Sequence, residues 1–168
     1  MKTVKIGLLG CGVVGSGVVK QLLSNKDNIA LKTGCQLEIK KILVRDLTKR
    51  RPEGVPAELF TTQVDDILED PEIQIVVELI GGIEPAKSYV LTALQKGKNI
   101  VTANKDLLAA HGKELFETAA KYEKDLRFEA SVAGGIPIIQ PLKESLAGNR
   151  IFRIMGIVNG TTNYILSK

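Results

Sequence analysis

The sequence predicts an α/β protein, a doubly wound parallel sheet with helices on both faces, followed by the start of a second, α+β unit. Three observations carry this expectation. Short apolar runs alternate with segments of helical periodicity along most of the chain. The first run is joined to the first helical segment by a glycine-rich turn. The later connections are long enough to hold a helix, which is how parallel strands are usually joined.

Taken in order, Val4 to Leu9 reads as a buried strand, and Val13 to Leu23 carries apolar residues at helical spacing. Asn25 to Gly34 is polar and reads as a loop inserted before a second strand, Leu37 to Val44. Two prolines and a glycine in residues 51–56 mark a break. Asp65 to Glu69 suits a short helix, and Ile73 to Ile80 a strand closed by Gly81 and Gly82. A helix from Glu84 to Lys96 should stop at Gly97. Asn99 to Thr102 is then strand, Lys113 to Lys124 helix, Leu126 to Glu129 strand, and Pro137 opens a further helix. The division expected is 1–135 for the doubly wound domain and 136–168 for an incomplete second one.

Composition removes several classes of function. The net charge of +4 is mild, aromatics are 4% of the chain, and no dense basic run is interleaved with them, so nucleic acid is not an expected partner. No apolar stretch approaches the 18 or so residues of a membrane span, and Met1-Lys2-Thr3 leads straight into a strand without a signal peptide. Cys11 and Cys35 form no CxxC and no zinc pattern, so free thiols in a reducing cytoplasm are the default reading.

The chemistry begins at Gly10-Cys11-Gly12-Val13-Val14-Gly15, a G-x-G-x-x-G between a strand and a helix. In a Rossmann-like fold the first glycine makes a tight turn, the second lets the backbone approach a pyrophosphate, and the third lets the helix pack on the strand. Free amides at the helix start, Val13 and Val14 among them, would hold the anion. A glycine turn without a ligand is the plainer alternative.

A carboxylate for the ribose hydroxyl is expected about 20 residues later, at the end of the second strand. Here that strand ends in Val44-Arg45-Asp46. Arg45, helped by Lys49 or Arg50, suits a 2′-phosphate and favours NADP, while Asp46 keeps NAD as an option. These residues belong to a basic cluster with Lys40, Lys41 and Arg51, which could equally be a solvated loop.

Four segments go further. Val77-Glu78-Leu79-Ile80-Gly81-Gly82, Thr102-Ala103-Asn104-Lys105, the run from Glu129 to Ile138, and the run from Gly156 to Leu166 resemble, in order, motifs of the homoserine dehydrogenase family. The resemblance spans nearly the whole chain. It implies reversible NAD(P)-dependent oxidation of L-homoserine to L-aspartate 4-semialdehyde, on the route to threonine, methionine and isoleucine, by a cytoplasmic homodimer or homotetramer.

It also implies residue roles. Lys105 becomes the catalytic candidate, at the carboxyl edge of the sheet where open α/β folds bind ligands, orienting the substrate oxygen and assisting proton transfer. Thr102, Ala103 and Asn104 would lie near the nicotinamide ribose, and Ile80 and Gly81 near the cofactor. Glu78, at a strand end, is suited to orienting backbone groups. Glu129, with the carbonyls of Val132, Gly134 and Ile136, would hold a monovalent cation such as sodium, the alternative being a glycine-rich turn. His111 reads as an exposed helix-end residue, and Cys11 is given no catalytic role. The family's second lysine and acidic substrate-binding residues follow its NGTTNYIL-like segment, so the chain reads as a fragment expected to bind cofactor with little turnover. A non-catalytic dinucleotide-sensing module would use the same glycine turn but has no need of a TANK-like segment.

Overall fold

The structure is a computed structural model. It describes residues 1–49, 52–157 and 160–168, apart from the side chains of 161 and 162. The chain runs β1 (Lys2–Leu9), α1 (Val13–Ser24), α2 (Lys26–Thr33), β2 (Cys35–Leu43), β3 (Phe60–Thr61), α3 (Asp65–Leu68), β4 (Ile73–Glu78), α4 (Ala86–Gln95), β5 (Asn99–Thr102), α5 (Lys105–Lys121), β6 (Leu126–Arg127) and α6 (Gly160–Leu166). All sheet pairings are parallel, and the strand order is β3-β2-β1-β4-β5-β6. This is the dinucleotide-binding order, in which the chain reverses direction across the sheet between β1 and β4.

Alternation along the strands builds two cores. Leu8 and Val77 point to one face, where they pack with Val19 of α1 and Ile42 of β2. Their neighbours Leu9 and Val76 point to the other, under Ile67 of α3, Val90 and Leu94 of α4, and Leu107 and Leu115 of α5. A period of two in the side chains thus covers both faces of one sheet with helices, which is why the central strands read as continuous apolar runs.

Five local expectations are corrected. Residues 26–33 form a helix rather than a loop; α2 buries no residue, so it lacks the apolar stripe by which helices are recognised. Helix α5 begins at Lys105, eight positions before Lys113, and runs through Gly112, where an added Cβ would meet Phe116 at 3.6 Å. His111 is therefore mid-helix, partly buried, with Nδ1 3.6 Å from Glu114. Strand β6 stops at Arg127, and Glu129 opens a 3-10 turn instead. The helix expected from Pro137 starts two residues later and widens into a π-helical turn over Pro141–Ser145.

The described part of 136–168 holds that turn and α6 but no strand, and leaves Phe152, Met155, Ile157 and Leu166 exposed. Among the described residues no helix is long and apolar enough to cross a membrane. Cys11 and Cys35 are both free thiols.

Candidate functional site

A cleft follows the carboxyl edge of the sheet over the β1–β4 junction. Its larger part, about 440 Å³, is lined by Gly10, Cys11 and Gly12, by Val44, Arg45, Asp46 and Lys49 after β2, and by Leu79, Ile80 and Tyr89. A smaller part, about 170 Å³, shares Leu79 and Ile80 and adds Val14, Gly81, Ala103 and Asn104. The two together run from the end of β2, across the glycine turn, to the end of β5.

The three fingerprint glycines meet three different constraints. Gly10 has φ +103°, and a Cβ there would lie 2.8 Å from the Leu79 carbonyl oxygen. A Cβ on Gly15 would be 2.4 Å from the Gly10 carbonyl oxygen, so the helix seats directly on the turn. A Cβ on Gly12 would meet nothing within 4 Å, and it would stand in open space. The first and third glycines are required by the protein's own packing; the second leaves room for something else. Helix α1 agrees, because its N-terminus has no side-chain cap and no acidic residue in its first turn. Its amides and dipole are left for an anion. The residues present therefore fit a dinucleotide pyrophosphate.

The basic cluster is sorted by the fold. Arg45 and Lys49 line the cleft, with Arg45 exposed. Lys40 instead pairs with Asp70 at 2.5 Å, and Lys41 donates to the Glu58 carbonyl at 2.8 Å. Arg50 and Arg51 lie outside the described residues. Asp46 accepts from the backbone N–H and the hydroxyl of Thr48 at 2.8 and 2.7 Å, which folds the loop beneath Arg45.

Beyond the glycine turn, Glu78 organises the site from behind. It is fully buried at the end of β4. Oε1 accepts from the amides of Ile80 at 2.8 Å and Gly81 at 3.3 Å, and Oε2 accepts from the Thr102 hydroxyl at 2.6 Å. Asn104 completes the network. Its Nδ2 donates to the Gly82 carbonyl at 2.6 Å and more weakly to Glu78 at 3.5 Å, while its Oδ1 caps α5 by accepting from the Leu107 amide at 3.1 Å. Thr102 itself is buried, so the cleft wall here is Ala103 and Asn104. Lys105 follows as the first residue of α5. Its side chain is 78% exposed, 3.6 Å from Asp106, and lines neither part of the cleft. A cation at a helix N-terminus opposes the macrodipole, so its placement there does nothing for the helix.

The Glu129 carboxylate accepts three backbone N–H groups: Ile138, Ile139 at 2.8 Å and Gln140 at 2.8 Å. Desolvation pushes its pKa up, but those three bonds outweigh it and hold the group below the ordinary glutamate range. Its role in the structure is to cap the helical turn that follows. Among the described residues no cluster of three His, Cys, Asp or Glu side chains could hold a metal ion.

Sequence reasoning missed Tyr89, Pro85 and Thr62 as cleft-lining residues. They come from α4, its preceding loop and the segment after β3, and only the tertiary fold brings them to the glycine turn.

Comparison with known proteins agrees with this geometry. The family model described as homoserine dehydrogenase, NAD binding domain, matches residues 10–129, and that described as homoserine dehydrogenase matches 137–168. The chain belongs to the homoserine dehydrogenase family. It is 51% identical to the Bacillus subtilis homoserine dehydrogenase over 168 residues, covering 100% of this chain and 39% of that protein. It is 52% identical to the Synechocystis one over 166 residues, covering 99% of this chain and 38% of that protein. A crystal structure of a homoserine dehydrogenase from Thiobacillus denitrificans superposes with a TM-score of 0.91 at 47% identity, over 99% of this chain and 38% of that one. The chain thus spans 38–39% of the length of these family members.

Proposed function

We propose that the cleft binds NADP(H), with NAD(H) the weaker ligand, and that the chain supplies the cofactor half of a homoserine dehydrogenase. The reaction is the reversible oxidation of L-homoserine to L-aspartate 4-semialdehyde. The observation that carries the cofactor reading is the contrast between Gly12, facing open space, and Gly10 and Gly15, packed tight. Arg45 in the cleft wall supports the phosphorylated form. A hyperthermophilic archaeal homoserine dehydrogenase of the same fold, 24% identical with a TM-score of 0.72, was solved in complex with NADPH.

When bound, the nicotinamide accepts or delivers the hydride. The chain's own residues do the rest. Val13 and Val14 offer amides to the pyrophosphate, Arg45 and Lys49 meet the 2′-phosphate, with Arg50 a further candidate, and Ile80, Gly81, Ala103 and Asn104 form the wall on the far side of the glycine turn. The Lys105 ammonium orients the substrate oxygen and assists movement of its proton. Thr102 contributes indirectly, by holding Glu78 and the Asn104 backbone.

The domain division at 135/136, a cytoplasmic location and a homodimeric or homotetrameric assembly belong to the same proposal. So does a monovalent cation at Glu129, Val132, Gly134 and Ile136. Three amides already occupy three of the roughly four lone-pair positions of a carboxylate, so the cation reading leans on the carbonyls. A higher melting temperature in sodium than in choline chloride would support it.

The test of the catalytic role is Lys105→Met in a protein of the family's full length carrying this segment. Homoserine-dependent NADP reduction should fall by about 10²–10⁴ while NADPH affinity stays within about twofold. Unchanged turnover would remove Lys105 from the chemistry.

A further inference from the structure

Glu78 is a fully buried carboxylate whose partners are all neutral: two amides, a hydroxyl and a carboxamide. It takes part in none of the ion pairs formed among the described residues. Burying a carboxylate is costly unless hydrogen bonds or a positive partner compensate it, and here the protein supplies only the hydrogen bonds. Three of its hydrogen-bond partners, Ile80, Gly81 and Asn104, line the smaller part of the cleft. The carboxylate therefore sits one hydrogen bond behind that wall.

On the proposed cofactor reading, the cleft has a direction. Arg45 and Lys49 mark the adenosine end, and the pyrophosphate crosses at the glycine turn. The smaller part, on the far side, is then left for the nicotinamide. That ring is cationic when oxidised and neutral when reduced. We propose that Glu78 is the fixed counter-charge of the oxidised nicotinamide and biases this site toward NADP⁺ relative to NADPH. The inference rests on the dinucleotide reading and adds to it a residue that touches no ligand. Glu78 is a positioning and charge-setting residue, acting through the Ile80 and Gly81 amides and through Asn104. Two unit charges about 8 Å apart at an effective dielectric of about 20–40 correspond to a roughly fivefold to thirtyfold effect on binding.

The test is Glu78→Gln, which keeps the shape and most of the hydrogen bonds and removes the charge. Dissociation constants for NADP⁺ and NADPH are measured on wild type and variant by calorimetry. The ratio Kd(NADP⁺)/Kd(NADPH) should rise about fivefold to thirtyfold. A variant that weakens both forms equally, or changes neither, shows a purely structural glutamate and overturns the proposal. Wild-type protein that binds neither form overturns the cofactor reading itself, and this proposal with it. A second readout needs no variant: in wild-type protein carrying ¹³C-labelled glutamate, the Glu78 side-chain carboxyl resonance should shift on adding NADP⁺ and much less on adding NADPH. Equal shifts would contradict the assignment even if Glu78→Gln failed to fold.

Discussion

Glu78 and Thr102 are register partners across the β4–β5 ladder, and the Thr102 hydroxyl donates to the Glu78 carboxylate at 2.6 Å in the interior. The same hydroxyl oxygen accepts the Asn104 amide at 3.0 Å. Two strand ends are thereby locked together at the edge where the cleft lies. Thr102→Val should leave a buried carboxylate one donor short and destabilise the fold by about 1–3 kcal/mol, read from urea unfolding. A variant as stable as wild type would show the pair to be incidental.

Gly12 and Gly15 should separate binding from folding. Gly12→Val places a side chain in open space where the pyrophosphate would lie, so a normal melting curve with dinucleotide affinity reduced by about a hundredfold or more is expected. Gly15→Ala drives a Cβ toward the Gly10 carbonyl oxygen at 2.4 Å, and the fold should lose about 1–3 kcal/mol. Fluorescence titration with NADPH alongside thermal melts distinguishes the two, and a Gly12→Val protein with full affinity would refute the fingerprint.

Arg45→Ala should weaken NADPH by about 1.5–3 kcal/mol, roughly tenfold to a hundredfold, and leave NADH nearly unchanged. Equal losses for both cofactors would show that Arg45 is not a phosphate ligand.

Much of this was legible because period and punctuation were clear. Strand β5 at Asn99–Thr102 matches its expectation, and the glycine turn stands between β1 and α1 as read. The errors fall where those signals fail. Helix α2 carries its apolar residues as the consecutive run Ile29-Ala30-Leu31 rather than as a stripe, with no buried residue to mark a face. Strand β3 is two residues long, too short for alternation to register. The start of α5 at Lys105 was hidden because its signal is a single cap, Asn104 bonded to the Leu107 amide. Gly10, Gly12 and Arg45 could be placed at the cleft from sequence because their positions, at the glycine turn and just after β2, are set locally. Glu78 could be suspected from its strand-end position, but its bond to Thr102 spans 24 positions and only the β4–β5 pairing creates it.

Glu129 predicts a pH dependence. Its pKa is lowered in the folded state, so its contribution to stability is fully present above the ordinary glutamate pKa. That contribution is lost as pH falls through the lower folded value. Protection factors of the Ile138, Ile139 and Gln140 amides, taken relative to the intrinsic exchange rate at each pH, should fall on acidification below the ordinary glutamate range, and Glu129→Ala should abolish that acid step. Identical exchange profiles for wild type and variant would contradict the capping role.

The most direct measurement is a calorimetric titration of this 168-residue chain with NADPH and, separately, NADH. One saturable site per chain with NADPH binding tighter by about tenfold or more is the expected result. No heat of binding for either cofactor, from a chain that is folded by circular dichroism, would contradict the assignment of the cleft.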